Sequence, residues 1–380
     1  MSYPKFLSLF FILLLVACSE DELDIEKPET IFPYKKHTVI LYAMADNDLY
    51  LYAEKNIQDI ENQWKDSFDG NFVVVLDTPD YIRDKRPSVF KIEATENIKI
   101  LPHLTDFQSS DKEVMKKILT DIKLQFPSDK YTLILWSHGT GWLPQKFDLE
   151  QDFSVPSKSF GKDKGHEMSI FDLSEVLPDN GFDTIIFDAC FMASVEVLYE
   201  LRKKSKYFIA SSAEILQTGF PYQSLTSMFF DDSKTPIHWA TYFYDFYNNK
   251  KGMYRSATIS VTENCFFDEL AQAVKNFQIF EKQSVDFIKE QKIQRFDRSK
   301  NPIFYDFYDY LEKLDERNTI QLQNIRKILE KLILYKAHTP KFAKQLEINA
   351  HSGLTTYVFL KEPSLVLSSY YKKYAWYMNL

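Results

Sequence analysis

Tyr131-Thr132-Leu133-Ile134-Leu135-Trp136-Ser137-His138 and Thr184-Ile185-Ile186-Phe187-Asp188-Ala189-Cys190 are two apolar runs that each end in a reactive side chain. Runs of this length, with few polar interruptions, are expected of strands covered on both faces. Working outward, the same texture recurs in Val39-Ile40-Leu41-Tyr42-Ala43-Met44-Ala45, in Asn71-Phe72-Val73-Val74-Val75-Leu76-Asp77 and in Tyr207-Phe208-Ile209-Ala210-Ser211-Ser212, and Ser88 to Ile92 reads as a short edge strand. Between them lie segments of helical period. Tyr52 to Trp64 is one, Asp111 to Phe126 (Val114, Ile118, Ile122, Phe126, with Asp111 as N-cap) another, and Ser169 to Leu177 and Ser194 to Lys204 complete the set. Strand and helix in alternation predict an α/β fold with a mostly parallel sheet flanked by helices and right-handed crossovers. Beyond residue 230 the pattern is mainly helical (Ile237 to Tyr247, Asn264 to Phe277, Phe304 to Leu314, Thr319 to Lys336), with two further strands expected near Ala257 to Val261 and Leu354 to Leu360. No Pro/Gly-rich linker and no internal repeat interrupts the chain, so residues 38–230 are read as an α/β core and 231–380 as a helix-rich C-terminal portion integrated with it.

Composition narrows the function. The chain has 380 residues, a 45% apolar share and a formal charge of -8, enough to fill a large core and the wrong sign for non-specific nucleic-acid binding. Only 9 Gly are present and neither G-x-G-x-x-G nor G-x-x-x-x-G-K-[ST] occurs, which argues against a nucleotide fold. Three Cys make neither a disulfide framework nor a multi-Cys zinc site.

The amino terminus reads as an address. Lys5 precedes the apolar run Phe6 to Val16, too short to span a bilayer comfortably, and Leu15-Val16-Ala17-Cys18 resembles a bacterial lipobox. That resemblance implies a signal peptide over 1–17, lipidation of Cys18 and a membrane tether; a plain signal peptide or an anchor helix is the other reading. Ser19 to Glu26 is acidic, and residues 18–37 are expected to form a solvated tether. The acidic stretch equally resembles the export signal of some surface lipoproteins, so the expected location is the cell envelope, on the outer membrane and exposed at the surface.

Chemistry gathers at the carboxyl ends of strands in an open α/β sheet. Three ends carry reactive groups here: Ser137-His138-Gly139-Thr140-Gly141-Trp142, Asp188-Ala189-Cys190-Phe191-Met192 and Ser211-Ser212-Ala213-Glu214. A thiol and an imidazole on adjacent tips suit acyl transfer, with sulfur as nucleophile and imidazole as base and then acid. Each residue alone reads more simply, Cys190 as an inert core thiol and His138 as a structural histidine. A disulfide between Cys190 and Cys265 is the competing arrangement, although Cys265 falls at a helix start and reads as structural. The remaining histidines lack metal-ligand spacing.

The buried strand ending His-Gly and the buried strand ending Asp-Ala-Cys resemble the clostripain family of cysteine peptidases, which have a caspase-like fold. Tyr42-Ala43-Met44-Ala45-Asp46-Asn47-Asp48-Leu49, Phe191-Met192-Ala193-Ser194-Val195-Glu196, Gly219-Phe220-Pro221-Tyr222 and Ser352-Gly353-Leu354-Thr355-Thr356-Tyr357 extend the likeness from about Thr38 to Leu360. The resemblance implies Cys190 as nucleophile, His138 as its base, and the N–H groups of Gly139 and Cys190 as oxyanion donors. It also implies Asp188 as the acid that selects Arg or Lys before the scissile bond, with Glu214 as a second acid in the pocket wall. Asp46, Asn47 and Asp48 read as turn formers that also line the cleft. Family members are often self-cleaved after the catalytic histidine, which makes Lys146, Lys158, Lys162 and Lys164 candidate sites on what is otherwise a solvated loop. No cofactor is expected; clostripain is linked to calcium, but no EF-hand pattern is present, so metal dependence stays open. The expected partners are peptides or proteins as substrates, no nucleic acid, and a membrane through the lipid on Cys18. A catalytically silent surface lipoprotein acting as a binding module, with Tyr370-Tyr371 and Trp376-Tyr377 as its contact surface, is the alternative, and another thiol hydrolase such as an amidase is a third.

Overall fold

The computed structural model describes residues 30–79, 87–101, 107–145, 166–275, 277, 283–314, 319–360 and 364–380. Cys18, the acidic segment after it and Lys146, Lys158, Lys162 and Lys164 lie outside the described residues. Buried apolar runs become a nine-stranded sheet. Its strands are β1 (Lys35–Met44), β2 (Gly70–Asp77), β3 (Ser88–Lys91), β4 (Ile98–Lys99), β5 (Ser128–Trp136), β6 (Phe182–Asp188), β7 (Ser205–Ala210), β8 (Thr258–Glu263) and β10 (Ile333–His338). The order is β10-β8-β7-β6-β5-β1-β2-β3-β4. The five central strands β7, β6, β5, β1 and β2 run parallel, and antiparallel strands close both sides. Every residue from Thr38 to Met44 and from Gly70 to Asp77 is buried, as expected for strands covered on both faces.

Chain direction reverses across the sheet. The step from β1 through α1 (Tyr50–Gln63) to β2 goes one way; the steps through α2 (Lys112–Gln125) to β5, α3 (Ile170–Val176) to β6 and α4 (Val195–Leu201) to β7 go the other. Right-handed crossovers therefore put α1 on one face and α2, α3 and α4 on the opposite face. The helices pack accordingly, α1 on α5 (Tyr222–Phe229) and α5 on α6 (Pro236–Asn248), and α2 on α3 and α3 on α4. The caps fit the sequence: Asp111 accepts the N–H groups of Glu113 and Val114, and Ser169 forms a reciprocal capping box with Asp172.

The C-terminal portion both adds strands to this sheet and covers it. Helix α7 (Phe267–Val274) and α8 (Val285–Gln291) lead to β9 (Tyr305–Asp306), α9 (Phe307–Leu314) and α10 (Ile320–Leu332). Lys341–Phe342 (β11) pairs with Leu346–Glu347 (β12), and Thr355–Thr356 (β13) pairs with β9. Helices α11 (Leu365–Tyr371) and α12 (Ala375–Asn379) end the chain, α12 packing on α4.

Three expectations differ. The helix read from Thr319 to Lys336 stops at Leu332, and Ile333–His338 pairs with β8 instead, because the apolar run Ile333-Leu334-Tyr335 carries both a helical and an alternating pattern. The strand read over Leu354 to Leu360 shrinks to Thr355–Thr356, and α5 was hidden behind Pro221, which stands at its N-cap.

Candidate active site

Register brings the two reactive tips together. On adjacent parallel strands Trp136 of β5 pairs with Asp188 of β6, and the Ser137 N–H reaches the Asp188 carbonyl at 3.4 Å. His138 and Cys190 each follow two residues beyond that last pair, at matching heights. Gly139 then lies against the nucleophile's backbone: a Cβ at this position would stand 2.4 Å from the Cys190 carbonyl oxygen and 2.5 Å from its nitrogen. Only glycine permits that approach.

The turn after the nucleophile is sharp. Phe191 has φ of +61°, left-handed backbone that a β-carbon disfavours, and its N–H is held by the Ala213 carbonyl at 3.0 Å. Ser194 then caps α4 by accepting the Val197 N–H. Cys190 is fully buried, its sulfur 3.2 Å from the Ile215 nitrogen and 3.7 Å from the Ile215 carbonyl oxygen. Cys190 and Cys265 are not joined to each other, so the disulfide alternative does not occur.

His138 is buried, and its Nε2 lies 2.7 Å from Asp48 Oδ1 in the loop after β1. An ionised carboxylate only accepts, so Nε2 carries the proton and Nδ1 the lone pair in the neutral ring. His138 Nδ1 is buried and has no hydrogen-bond partner among the described residues. Strand order explains the meeting of Asp48 and His138: β1 and β5 flank the point where chain direction reverses, and side chains from both tips meet in the crevice there. The sequence marked Asp48 only as a turn former that could line the cleft, without the histidine as its partner. Asn47 shapes the loop, its Nδ2 donating to the Met44 carbonyl and its Oδ1 accepting the Leu49 N–H, both at 2.9 Å. Asp46 is half-buried beside it.

The two acids expected in a pocket wall are enclosed. Asp188 Oδ2 accepts the Phe220 N–H at 3.0 Å and the Tyr222 hydroxyl at 2.9 Å. Gly219, with φ of +65°, lets the chain pass so close that a Cβ would stand 2.5 Å from that oxygen. Burial first, and then the Asp188 charge, push the Tyr222 phenol well above its ordinary range, so it remains a donor. Glu214 forms a bidentate pair with Arg298, Nε to Oε2 at 2.9 Å and NH2 to Oε1 at 2.8 Å, with both side chains buried. Removing one partner of such a pair costs on the order of 3–5 kcal/mol, because a buried charge is left behind. Arg298 gave no signal in the sequence, since it lies in a segment with no clear period.

Among the described residues no group of three or more His, Cys, Asp or Glu gathers to hold a metal ion, and no helix is long and apolar enough to cross a membrane.

A cysteine and a histidine on neighbouring tips of a mostly parallel, helix-flanked sheet define a caspase-like thiol peptidase arrangement. The family model described as "Clostripain family" matches residues 41–379, and the chain belongs to that family of cysteine peptidases. It is similar to clostripain of Hathewaya histolytica, 26% identical over 219 residues that make up 50% of this chain, and it spans only 41% of that relative's length. It is also similar to the inactive zymogen of a C11 protease from Parabacteroides distasonis, at 30% identity and TM-score 0.74, covering 92% of this chain and 99% of the other. A secreted C11 cysteine protease of Bacteroides thetaiotaomicron, in complex with an irreversible peptide inhibitor, shares the fold at 23% identity and TM-score 0.73, covering 91% and 99%.

Proposed function

We propose that this chain is an endopeptidase that cleaves after basic residues, with Cys190 as nucleophile and His138 as acid and base. The observation that supports the reading is the pairing of the β5 and β6 tips, whose next residues include His138 and Cys190, together with the tie between one His138 ring nitrogen and Asp48. The Cys190 S–H proton passes to Nδ1 and the sulfur attacks the scissile carbonyl. The oxyanion accepts the Gly139 and Cys190 N–H groups. The imidazolium returns its proton to the departing amine, leaving a thioester. Water then gives a proton to the same nitrogen and attacks the thioester carbon, which releases the acid and restores the thiol. Asp48, accepting from Nε2–H, steadies the imidazolium while it lasts.

Asp188 is the acid assigned to the basic side chain, with Glu214 as a second acid in the pocket wall. An Arg fork matches a carboxylate in two hydrogen bonds, and a buried carboxylate favours a cation over neutral residues. Cleavage of the chain's own Lys-bearing loop after His138, and a lipid on Cys18 that holds the protein to the outer membrane, belong to the same proposal. So does a location at the cell envelope; the related B. thetaiotaomicron protease is secreted.

The test is hydrolysis of fluorogenic peptides with Arg, Lys, Leu or Asp before the bond. Arg and Lys substrates should turn over, and C190A and H138A should abolish it. Equal rates for all four would remove the specificity, and turnover by C190A would remove the mechanism. Wild type appearing as two fragments and C190A as one is the outcome expected of self-cleavage.

A further inference from the structure

The chain between α8 and α9 makes a narrow excursion that ends over the active site. Its stem is a short antiparallel ladder: the Asp306 N–H bonds the Gln294 carbonyl at 2.8 Å, Arg295 bridges Tyr305, and the Phe296 N–H bonds the Phe304 carbonyl at 2.8 Å. Its tip, residues 297–303, is held in shape by one buried carboxylate. Asp297 accepts the N–H groups of Ser299, Ile303 and Phe304 at 3.1, 2.8 and 2.9 Å. Arg295 donating to the Ser299 carbonyl and the Asn301 N–H donating to the Ser299 hydroxyl add to these, so the tip is a hydrogen-bonded loop with its polar groups paired.

Three contacts place this strap on the segments that follow β5, β6 and β7. Phe304 stacks on Phe191, the residue after the nucleophile, with ring centroids 4.6 Å apart and planes 7° apart. The same ring covers Gly141, where a Cβ would stand 2.7 Å from it. Arg298 then reaches Glu214, the neighbour of the residue whose N–H touches the Cys190 sulfur. The strap thus bears on the turn after Cys190, the loop after His138 and the acid at the β7 tip together.

We propose that Arg298 is an internal occupant of the subsite for a basic side chain, and that a substrate's cation replaces it on Glu214 as the strap lifts. The inference rests on the basic-residue specificity proposed above. The chemistry of the exchange is symmetrical: a guanidinium leaves a carboxylate and another guanidinium or ammonium takes its place, so the acid is never left without a cation. A neutral side chain cannot make that exchange. Arg298 therefore acts as a specificity-determining residue, since only a cationic substrate compensates for lifting it. Cys190 is fully buried with the strap in this position, and under the proposal its access to reagents rises when the strap lifts.

Wild-type protein provides the first readout. After labelling of Cys190 with an acyl-arginyl chloromethyl ketone, the amides of Ser299, Ile303 and Phe304 should exchange at least about tenfold faster than in free enzyme. After labelling with iodoacetamide they should stay protected. Unchanged protection in the arginyl-labelled enzyme would overturn the proposal. The second readout uses R298Q, which keeps a hydrogen-bond donor for Glu214, and R298A. Cys190 alkylation by iodoacetamide should speed up about tenfold in both. KM for an Arg substrate should fall with kcat little changed, and millimolar methylguanidinium should slow R298A back toward the wild-type rate. Wild-type alkylation rates in a folded R298Q would mean that the ion pair is structural only. Failure of the specificity reading looks different: wild type and R298Q would then react equally with arginyl and leucyl reagents, while the iodoacetamide rates would still report on the strap.

Discussion

The two ends of the central parallel strands carry opposite combinations of space and chemistry. Around the amino-terminal ends of β1, β5, β6 and β7 lies an open concavity of about 590 Å³, with Lys36, Lys130 and Lys206 facing Asp129, Asp183 and Asp232. Its histidine, His37, is satisfied on both nitrogens, Nδ1 by the Phe229 carbonyl at 2.8 Å and Nε2 by Thr132 at 2.9 Å. The carboxyl-terminal ends carry the thiol, an imidazole with an unbonded nitrogen and two enclosed acids, and almost none of it is exposed. This concavity lies at the end away from the reactive groups. Strand polarity, which aims side chains and helix starts at the carboxyl end, is the better guide to where chemistry sits.

The comparison breaks outright if activity survives loss of the tip residues. C190A and H138A should each lower kcat/KM by at least about 10³-fold while leaving the melting temperature within a few degrees, and peptide hydrolysis with thermal denaturation checks both. Next in size is Asp48. D48A should reduce kcat by roughly tenfold, less than a buried partner would, because the carboxylate is 74% exposed and screened by water. D48N should recover part of the loss through its carbonyl oxygen, and equal rates for D48A and wild type would reduce the contact to a surface pairing.

The opposite end should respond in stability alone. H37A leaves the Phe229 carbonyl and Thr132 hydroxyl without their partner, at a cost of about 1–3 kcal/mol by urea denaturation, with kcat/KM inside about twofold. A tenfold loss of activity in folded H37A would mean that the two ends are coupled.

The smallest effect is a pH dependence. Burial raises the carboxyl of Asp306, beside β13, to about 6. The folded chain thus binds that proton more tightly than the unfolded chain, whose Asp titrates near 3.9. Its stabilising contribution is complete below about pH 4 and is lost as pH rises through about 6. D306N should flatten that part of the stability profile between pH 4 and 7, and an unchanged slope would assign it to other groups such as Asp297, also raised by burial to about 6.

Much of this was legible in the residues. Runs such as Val39 to Ala45 and Thr184 to Cys190 could only be strands buried on both faces, and they fixed the sheet together with the residues at its tips. What stayed hidden depends on partners distant in sequence. Asp48 reads as a turn former until the β1–β5 pairing puts it beside His138. Arg298 gives no signal until the strap carries it under cover to Glu214, 84 positions away. Ile333 to His338 continues a helical pattern locally, and only the free edge of β8 converts it to a strand.

The contact at Gly139 has a mechanical consequence. Bare main chain approaches main chain there, so no side chain separates the loop that carries the base from the turn that carries the nucleophile. A drift of either strand end is transmitted to its neighbour without a compressible side chain between them. Even the smallest added branch at that point, a single methyl in G139A, would pry the two segments apart without removing any reactive group.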